Sequence, residues 1–254
     1  MQLEGKAAIV TGGGTGVGRA TALELARQGC SVLVNYSKSR DEAEAAAAEI
    51  EALGVRGIAV QCDVADDAQC RQMVGVAVKA FGRLDVLVNN AGTTKFVLAF
   101  ELDGVTDEDW QRIFAVNVIG PFHCARAVKE PMLASGGGQI INVTSVAAFA
   151  GKGSSIPYAA SKAALNNLTI ALARTLAPHI RVNAVAPGFI TGRWLEQGFG
   201  EAYEGVKRTV ERMCPLEKVS DPADVAAAIM SLVTGSSMIT GQVLICDGGM
   251  LIGK

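Results

Sequence analysis

Short, almost unbroken apolar runs alternate along this chain with longer stretches of helical spacing. That alternation limits the possible folds more than any other feature. The runs at 7–11, 31–35, 57–61, 84–89, 139–144, 180–186 and 242–246 read as strands covered on both faces. Between them, 16–28, 41–53, 67–81, 107–134, 155–176, 201–212 and 222–233 read as helices. Asp66 and Asp221 stand at N-cap positions, the latter ahead of Pro222, while Gly29, Gly54 and Gly82 stand where helices should stop. Strict strand-then-helix order needs right-handed crossovers. It predicts a seven-stranded parallel sheet with helices on both faces, a doubly wound α/β fold spanning 1–254 as a single domain. The stretch 187–200 shows no regular pattern, and the region 187–212 is expected to act as a lid over a ligand site.

Composition narrows the class further. Half of the 254 residues are hydrophobic, 19% are charged, and the formal net charge is −2 with both signs mixed along the chain. That supplies a large core and no basic tract for nucleic acid or an anionic membrane. The first residues run directly into a strand pattern, and no apolar run reaches membrane-spanning length. The six cysteines are scattered without a Cys-x-x-Cys pair, so reduced thiols and a cytoplasmic location are expected. His123 and His179 are far apart and lack spaced acidic or Cys partners, so no metal site is expected.

The first strand ends in Thr11-Gly12-Gly13-Gly14-Thr15-Gly16-Val17-Gly18, and a helix follows. A dinucleotide pyrophosphate needs such a turn. Small residues let the backbone approach the phosphates closely, and the helix N-terminus offers unpaired N–H groups and the positive dipole end. Gly12, Gly14, Thr15, Gly16, Val17 and Gly18 are therefore candidate cofactor ligands in a Rossmann fold. No Gly-Lys-Ser/Thr follows, which argues against a nucleotide-triphosphate loop. At the end of the second strand, Asn35 takes the place where NAD-selective folds carry an acidic residue for the ribose hydroxyls, followed by Tyr36, Ser37, Lys38 and Arg40. Without a carboxylate there is no repulsion of a 2′-phosphate, which Ser37, Lys38 and Arg40 could bind. NADP(H) is therefore favoured over NAD(H).

A second group of residues carries proton chemistry. Tyr158 and Lys162 lie four apart in a helical pattern and share a face, and Ser145 lies just past a strand end. A free tyrosine titrates near ~10; a neighbouring ammonium is expected to lower that value. The Ser145 hydroxyl can hold a carbonyl or alcohol oxygen beside Tyr158. Spacing alone is a poor guide, since Tyr203 and Lys207 repeat it; these two are expected to be surface or lid residues.

Taken together, Thr-Gly-x-x-x-Gly-x-Gly and Ser145…Tyr158-x-x-x-Lys162 resemble the short-chain dehydrogenase/reductase family, and the resemblance extends over almost the whole chain. It implies that Asp63 and Val64 meet the adenine, and that Asn89, Ala91 and Gly92 line the cofactor. It further implies that Pro187, Gly188, Ile190 and Thr191 reach the nicotinamide end, with Tyr158 and Lys162 also touching the cofactor. Asn117, a poor residue for mid-helix, matches the family's catalytic Asn, which breaks its helix and binds a water linked to the Lys. Asn117, Ser145, Tyr158 and Lys162 are thus the implied catalytic set. Ser145, Ala147, Tyr158, Phe189 and Trp194 would touch a small-molecule substrate, with Thr93, Thr94 and Val146 nearby.

The activity implied is hydride transfer between a nicotinamide and a ketone or secondary alcohol. Three versions stay open: a 3-oxoacyl thioester reductase, a dehydrogenase of sugars or other small alcohols, and a dinucleotide-binding regulator without turnover. Family regulators usually lack the Tyr/Lys pair, which favours an enzyme. A carrier-protein partner would want a basic patch, for which Lys95, Arg126 and Lys129 are candidates. The family further implies a homotetramer built on the helices at 107–134 and 155–176.

Overall fold

The computed structural model describes residues 1–97 and 100–254. Its strands are β1 (Ala7–Val10), β2 (Ser31–Tyr36), β3 (Gly57–Gln61), β4 (Val86–Asn89), β5 (Gly138–Val143), β6 (Ile180–Pro187) and β7 (Val243–Cys246). All pair in parallel, in the order β3-β2-β1-β4-β5-β6-β7. The order reverses between β1 and β4, where Val10 is in register with Val34 on one side and Val88 on the other. The chain leaves these two strands in opposite directions across the sheet, so a crevice opens beyond their carboxyl ends.

The helices are α1 (Gly16–Arg27), α2 (Arg40–Ala52), α3 (Asp67–Phe81), α4 (Asp107–Phe114), α5 (Gly120–Ala134), α6 (Ala147–Ala150), α7 (Ile156–Leu176), α8 (Arg193–Phe199), α9 (Tyr203–Met213) and α10 (Pro222–Thr234). Strand side chains alternate between two cores, which explains why whole strands are apolar. Val10, Val34, Val88 and Val185 pack with Leu25 of α1, Ile50 of α2 and Ile229 of α10. Ile9, Leu33, Leu87 and Val182 pack with Met73 of α3, Val128 of α5 and Leu172 of α7. Each such fully buried side chain contributes about 1.5–3 kcal/mol relative to exposure. Asp66 and Asp221 do cap α3 and α10, accepting from the amides of Gln69 and Asp224 at 3.1 and 2.9 Å.

Two stretches refine the sequence expectation. The helix read over 107–134 is interrupted around Asn117, as the family resemblance implies: a π turn at Ala115–Ile119 separates α4 from α5. Its wider ring inserts an extra residue into the winding, and Asn117 sits within it. The irregular stretch expected at 187–200 is partly ordered, with Pro187 completing β6 and α8 forming over Arg193–Phe199. Gly198 and the bracketing Gly192 and Gly200 hide this helix from a propensity reading.

At the opposite end of the sheet from the crevice, Asp85 ties β1 to β4. Its carboxylate, 1% exposed, accepts from Arg83 Nε and Nη2 at 2.7 and 2.6 Å and from the Ala7 amide at 3.0 Å, with Lys6 Nζ at 3.2 Å. Burial pushes this carboxyl up, but Arg83, the Ala7 amide and Lys6 outweigh burial and leave it below the ordinary carboxylate range. Asp85→Ala strands the Ala7 amide and should cost about 1–3 kcal/mol, read as a lower urea midpoint at unchanged slope. A carboxyl held down in the folded state stabilises above its unfolded pKa. The difference between wild type and variant should therefore shrink as pH falls through the folded value.

Candidate active site

The crevice is shaped first by how β1, β4 and β2 hold the glycine-rich turn. The Thr11 hydroxyl accepts from the amides of Asn90 and Ala91, both at 3.0 Å, and Asn90 Nδ2 donates to the carbonyls of Thr11 and Gly12 at 3.0 Å. A Cβ added at Gly18 would overlap the Gly12 carbonyl, and one at Gly14 would come within 2.9 Å of the Ala43 amide at the start of α2. Thr15 provides no side-chain cap for α1, and among the described residues no other side chain accepts from the first-turn amides of that helix. A turn that tolerates no side chain at these points, next to an uncapped helix start at a strand-order reversal, fits a dinucleotide pyrophosphate.

Asn35 has a different place from the one expected. Its side chain is 1% exposed and turned inward. Oδ1 accepts from the Gly12 amide at 3.2 Å, and Nδ2 donates to the carbonyls of Tyr36, Val60 and Cys62 at 3.2, 3.3 and 3.0 Å. It staples the glycine turn to β3 and presents nothing to a ribose. Tyr36, buried, and Ser37 and Lys38, exposed, are the residues at the strand's end. Asp63 accepts from the Ala65 amide at 3.0 Å and from Arg112 at 2.9 Å; Val64 is buried beside it. Asn89 faces into the protein, donating to Asn142 Oδ1 at 2.9 Å, and Asn142 in turn donates to Thr169 at 2.9 Å. Pro187 accepts from the Val146 amide at 2.9 Å, Gly188 donates to Cys246 at 3.0 Å, and Thr191 donates to Ser220 at 2.9 Å. A β-bridge between Ile190 and Ser220 adds to this anchoring of the chain at the mouth of the crevice.

The four side chains read as catalytic converge on this mouth. Asn117, fully buried in the π turn, accepts from the Thr93 amide at 2.8 Å and donates to the Thr93 carbonyl at 2.9 Å and to Ser161 Oγ at 3.0 Å. Ser161 donates on to the Tyr158 carbonyl at 2.7 Å, so the π turn is bonded to the helix that carries Tyr158. Lys162 is 3% exposed, and its ammonium donates to the Val143 carbonyl at 2.8 Å. An added Cβ at Gly92 would lie 3.5 Å from Asn117 Oδ1 and 3.7 Å from Lys162 Nζ, so these three positions share one small space. Ser145 lies between β5 and α6 and accepts from the Ala147 amide at 3.1 Å. Short helix α6, invisible in the sequence reading, sets this geometry by turning the chain immediately after the strand.

The expected lowering of the Tyr158 pKa is not found. Burial pushes the phenol up to about 12, and the neighbouring Ser145 hydroxyl pulls it back only in part. The Lys162 ammonium lies 5.6 Å from the ring centroid and is committed to Val143, so it does not offset that burial. Burial likewise holds Lys162 down to about 8. At neutral pH the phenol is protonated and the amine still largely charged.

Over this site lies an aromatic wall. Trp194 stands edge-on to Tyr158 at 6.2 Å, Phe199 stacks on Phe189 at 6.2 Å and meets Phe96 at 5.5 Å, and Tyr203 meets Phe189 at 5.8 Å. Tyr203 is thus buried beneath this wall, while Ala147, Val146 and Phe189 are buried around the site and Trp194 is half exposed. Thr94 is tied to Ser154 at 2.6 Å. Sequence reasoning missed Asn90, Ser161, Phe96 and Phe199. Asn90 was legible beside Asn89, but the other three act through contacts remote in sequence.

Comparison with known proteins places the chain. The family model described as enoyl-(acyl carrier protein) reductase matches residues 12–251. The chain belongs to the short-chain dehydrogenase/reductase family. It is 40% identical over 253 residues to a 3-oxoacyl-[acyl-carrier-protein] reductase of Synechocystis sp., covering 98% of each chain. It is also 40% identical over 247 residues to a protein named as ketoacyl reductase 2 of the granaticin polyketide synthase of Streptomyces violaceoruber, covering 97% of this chain and 96% of that one. A crystal structure described as a short-chain dehydrogenase/reductase from Burkholderia xenovorans superposes with a TM-score of 0.90 at 37% identity, covering 98% of both chains. This short-chain dehydrogenase/reductase is an NAD(P)-dependent oxidoreductase acting on CH–OH and keto groups. No helix among the described residues is long and apolar enough to cross a membrane.

Proposed function

We propose that this enzyme reduces a ketone to a secondary alcohol with NADP(H), with Asn117, Ser145, Tyr158 and Lys162 as its catalytic set. The observation that carries the reading is the convergence of Asn117, Ser145, Tyr158 and Lys162 at the mouth of the crevice, and the relatives' names as reductases favour this direction. When bound, the nicotinamide supplies the hydride. Ser145 and Tyr158 hold the carbonyl oxygen, and Tyr158 donates its proton as charge builds there. The Lys162 ammonium steadies the phenolate left behind, and Asn117 holds the strand-end backbone at Thr93 against the same space.

The phosphate end supports NADP(H). Ser37 and Lys38 are exposed at the end of β2, and no carboxylate occupies 35–39. The glycine turn and the residues Asp63, Val64, Ala91, Gly92, Pro187, Gly188, Ile190 and Thr191 complete the cofactor site in this reading.

The relatives' names favour a 3-oxoacyl thioester as substrate. The aromatic lid over 187–212, with Trp194 against Tyr158, favours an apolar or ring-bearing ketone. Docking of an acidic carrier protein has less support: Lys95 pairs with Asp109 at 2.6 Å, Arg126 with Asp67 at 2.8 Å and Lys129 with Glu130 at 3.2 Å. The reading is therefore a small, freely diffusing substrate and a cytoplasmic enzyme. Exposed Trp110, Ile119, Phe122 and Ile170 on α4, the π turn, α5 and α7 support burial against further copies in a homotetramer.

Tyr158→Phe should lower kcat for ketone reduction by about 10²–10⁴-fold, measured as NADPH absorbance, while NADPH binding persists by fluorescence. Unchanged turnover would rule out the proton-transfer role. The wild-type reduction rate should be level near neutrality and fall above about pH 8 as Lys162 loses its proton; Lys162→Arg should abolish that alkaline limb. Ser37→Asp should reverse the preference for NADPH over NADH by placing a carboxylate against the 2′-phosphate, read as the ratio of kcat/KM values. Light scattering should give four times the chain mass; a monomer would refute the assembly.

A further inference from the structure

Lid helix α8 begins at Arg193, and its guanidinium is half exposed and paired. It bonds Glu42 in the first turn of α2 at 2.7 Å, across 151 positions of sequence. Glu42 precedes Ala43, whose amide would lie 2.9 Å from a Cβ at Gly14. The ion pair therefore stands beside the glycine-rich turn and joins the substrate side of the crevice to the adenosine side. Glu42 has no cation from its own helix in competition, because Arg40 is bonded to Glu44 at 2.9 Å.

Gly192 before α8 and Gly200 after it have φ of 127° and 52°, conformations that favour glycine at both ends of the helix. The far end is held by ring contacts, with Phe199 between Phe96 and Phe189. A Cβ at Gly198 would overlap the Phe96 ring, so the lid backbone lies flat upon it. Van der Waals contact fixes one end, and a solvent-accessible ion pair fixes the other.

The geometry points to Arg193 and Glu42 as a latch that fastens the lid across the bound dinucleotide and slows its release. This inference rests on the nicotinamide-binding reading above. The latch is a retention device, and neither residue touches the reacting atoms. Both side chains are about half exposed, 53% for Arg193 and 40% for Glu42, so the pair is weak enough to open in each cycle.

The test is stopped-flow displacement of NADPH from the wild-type enzyme, followed by quenching of the tryptophan emission to which Trp194 contributes. Arg193→Gln and Glu42→Gln should each speed dissociation by about 2–5-fold, the range expected for an exposed pair. The double variant should be no faster than either single one, and the charge swap Glu42→Arg/Arg193→Glu should restore slow release. High salt should speed release from wild type more than from the Gln variants. Unchanged rates, or additive effects, would overturn the latch. So would tighter NADPH binding by Glu42→Gln, which would make Arg193 a direct phosphate ligand restrained by Glu42. Thermal melts without cofactor would show that the variants are folded. Absence of any NADPH binding to wild type would count against the cofactor reading itself, a result distinct from failure of the latch.

Discussion

The site depends on one knot of hydrogen bonds at the carboxyl ends of β1 and β4. Thr11 accepts from two successive amides after β4, and Asn90 returns two bonds to the carbonyls of Thr11 and Gly12. Asn35 closes the third side by accepting from Gly12 while holding Cys62. These bonds satisfy buried backbone groups that a parallel sheet leaves open at its strand ends. They also fix where the glycine turn stands relative to the catalytic helix. The two halves of the crevice, one for phosphates and one for chemistry, are positioned by the same few side chains.

Much of this was legible in the sequence because burial on both faces leaves a strong trace. The near-continuous apolar runs gave every strand and the parallel, doubly wound class, while the order of the strands came from the folded sheet. The acidic caps at Asp66 and Asp221 were readable for the same local reason: an N-cap needs a short acceptor side chain at one position. Tyr158, Lys162 and Ser145 were readable as a set because a strand end and a helix face were already placed around them.

What was hidden depended on contacts between distant segments. The inward turn of Asn35 is decided by carbonyls of β3 that only the folded sheet brings near. A π turn keeps nearly the hydropathy pattern of an α-helix, so the break at Ala115–Ile119 was legible only through Asn117 and the family pattern it matches. Helix α8 is obscured by glycines, one pressed against Phe96 and two with positive φ at either end. The raised phenol of Tyr158 reflects the balance of burial against charge, and the direction in which the Lys162 ammonium points cannot be read from a spacing of four.

The small hydroxyl of Ser161 has a consequence beyond its size. It accepts from Asn117 and donates to the Tyr158 carbonyl, and it is fully buried between them. An alanine there would fill nearly the same volume and leave the amide of Asn117 with an unanswered donor in a dry interior. Positions 117 and 161 are therefore constrained as a couple although 44 residues separate them.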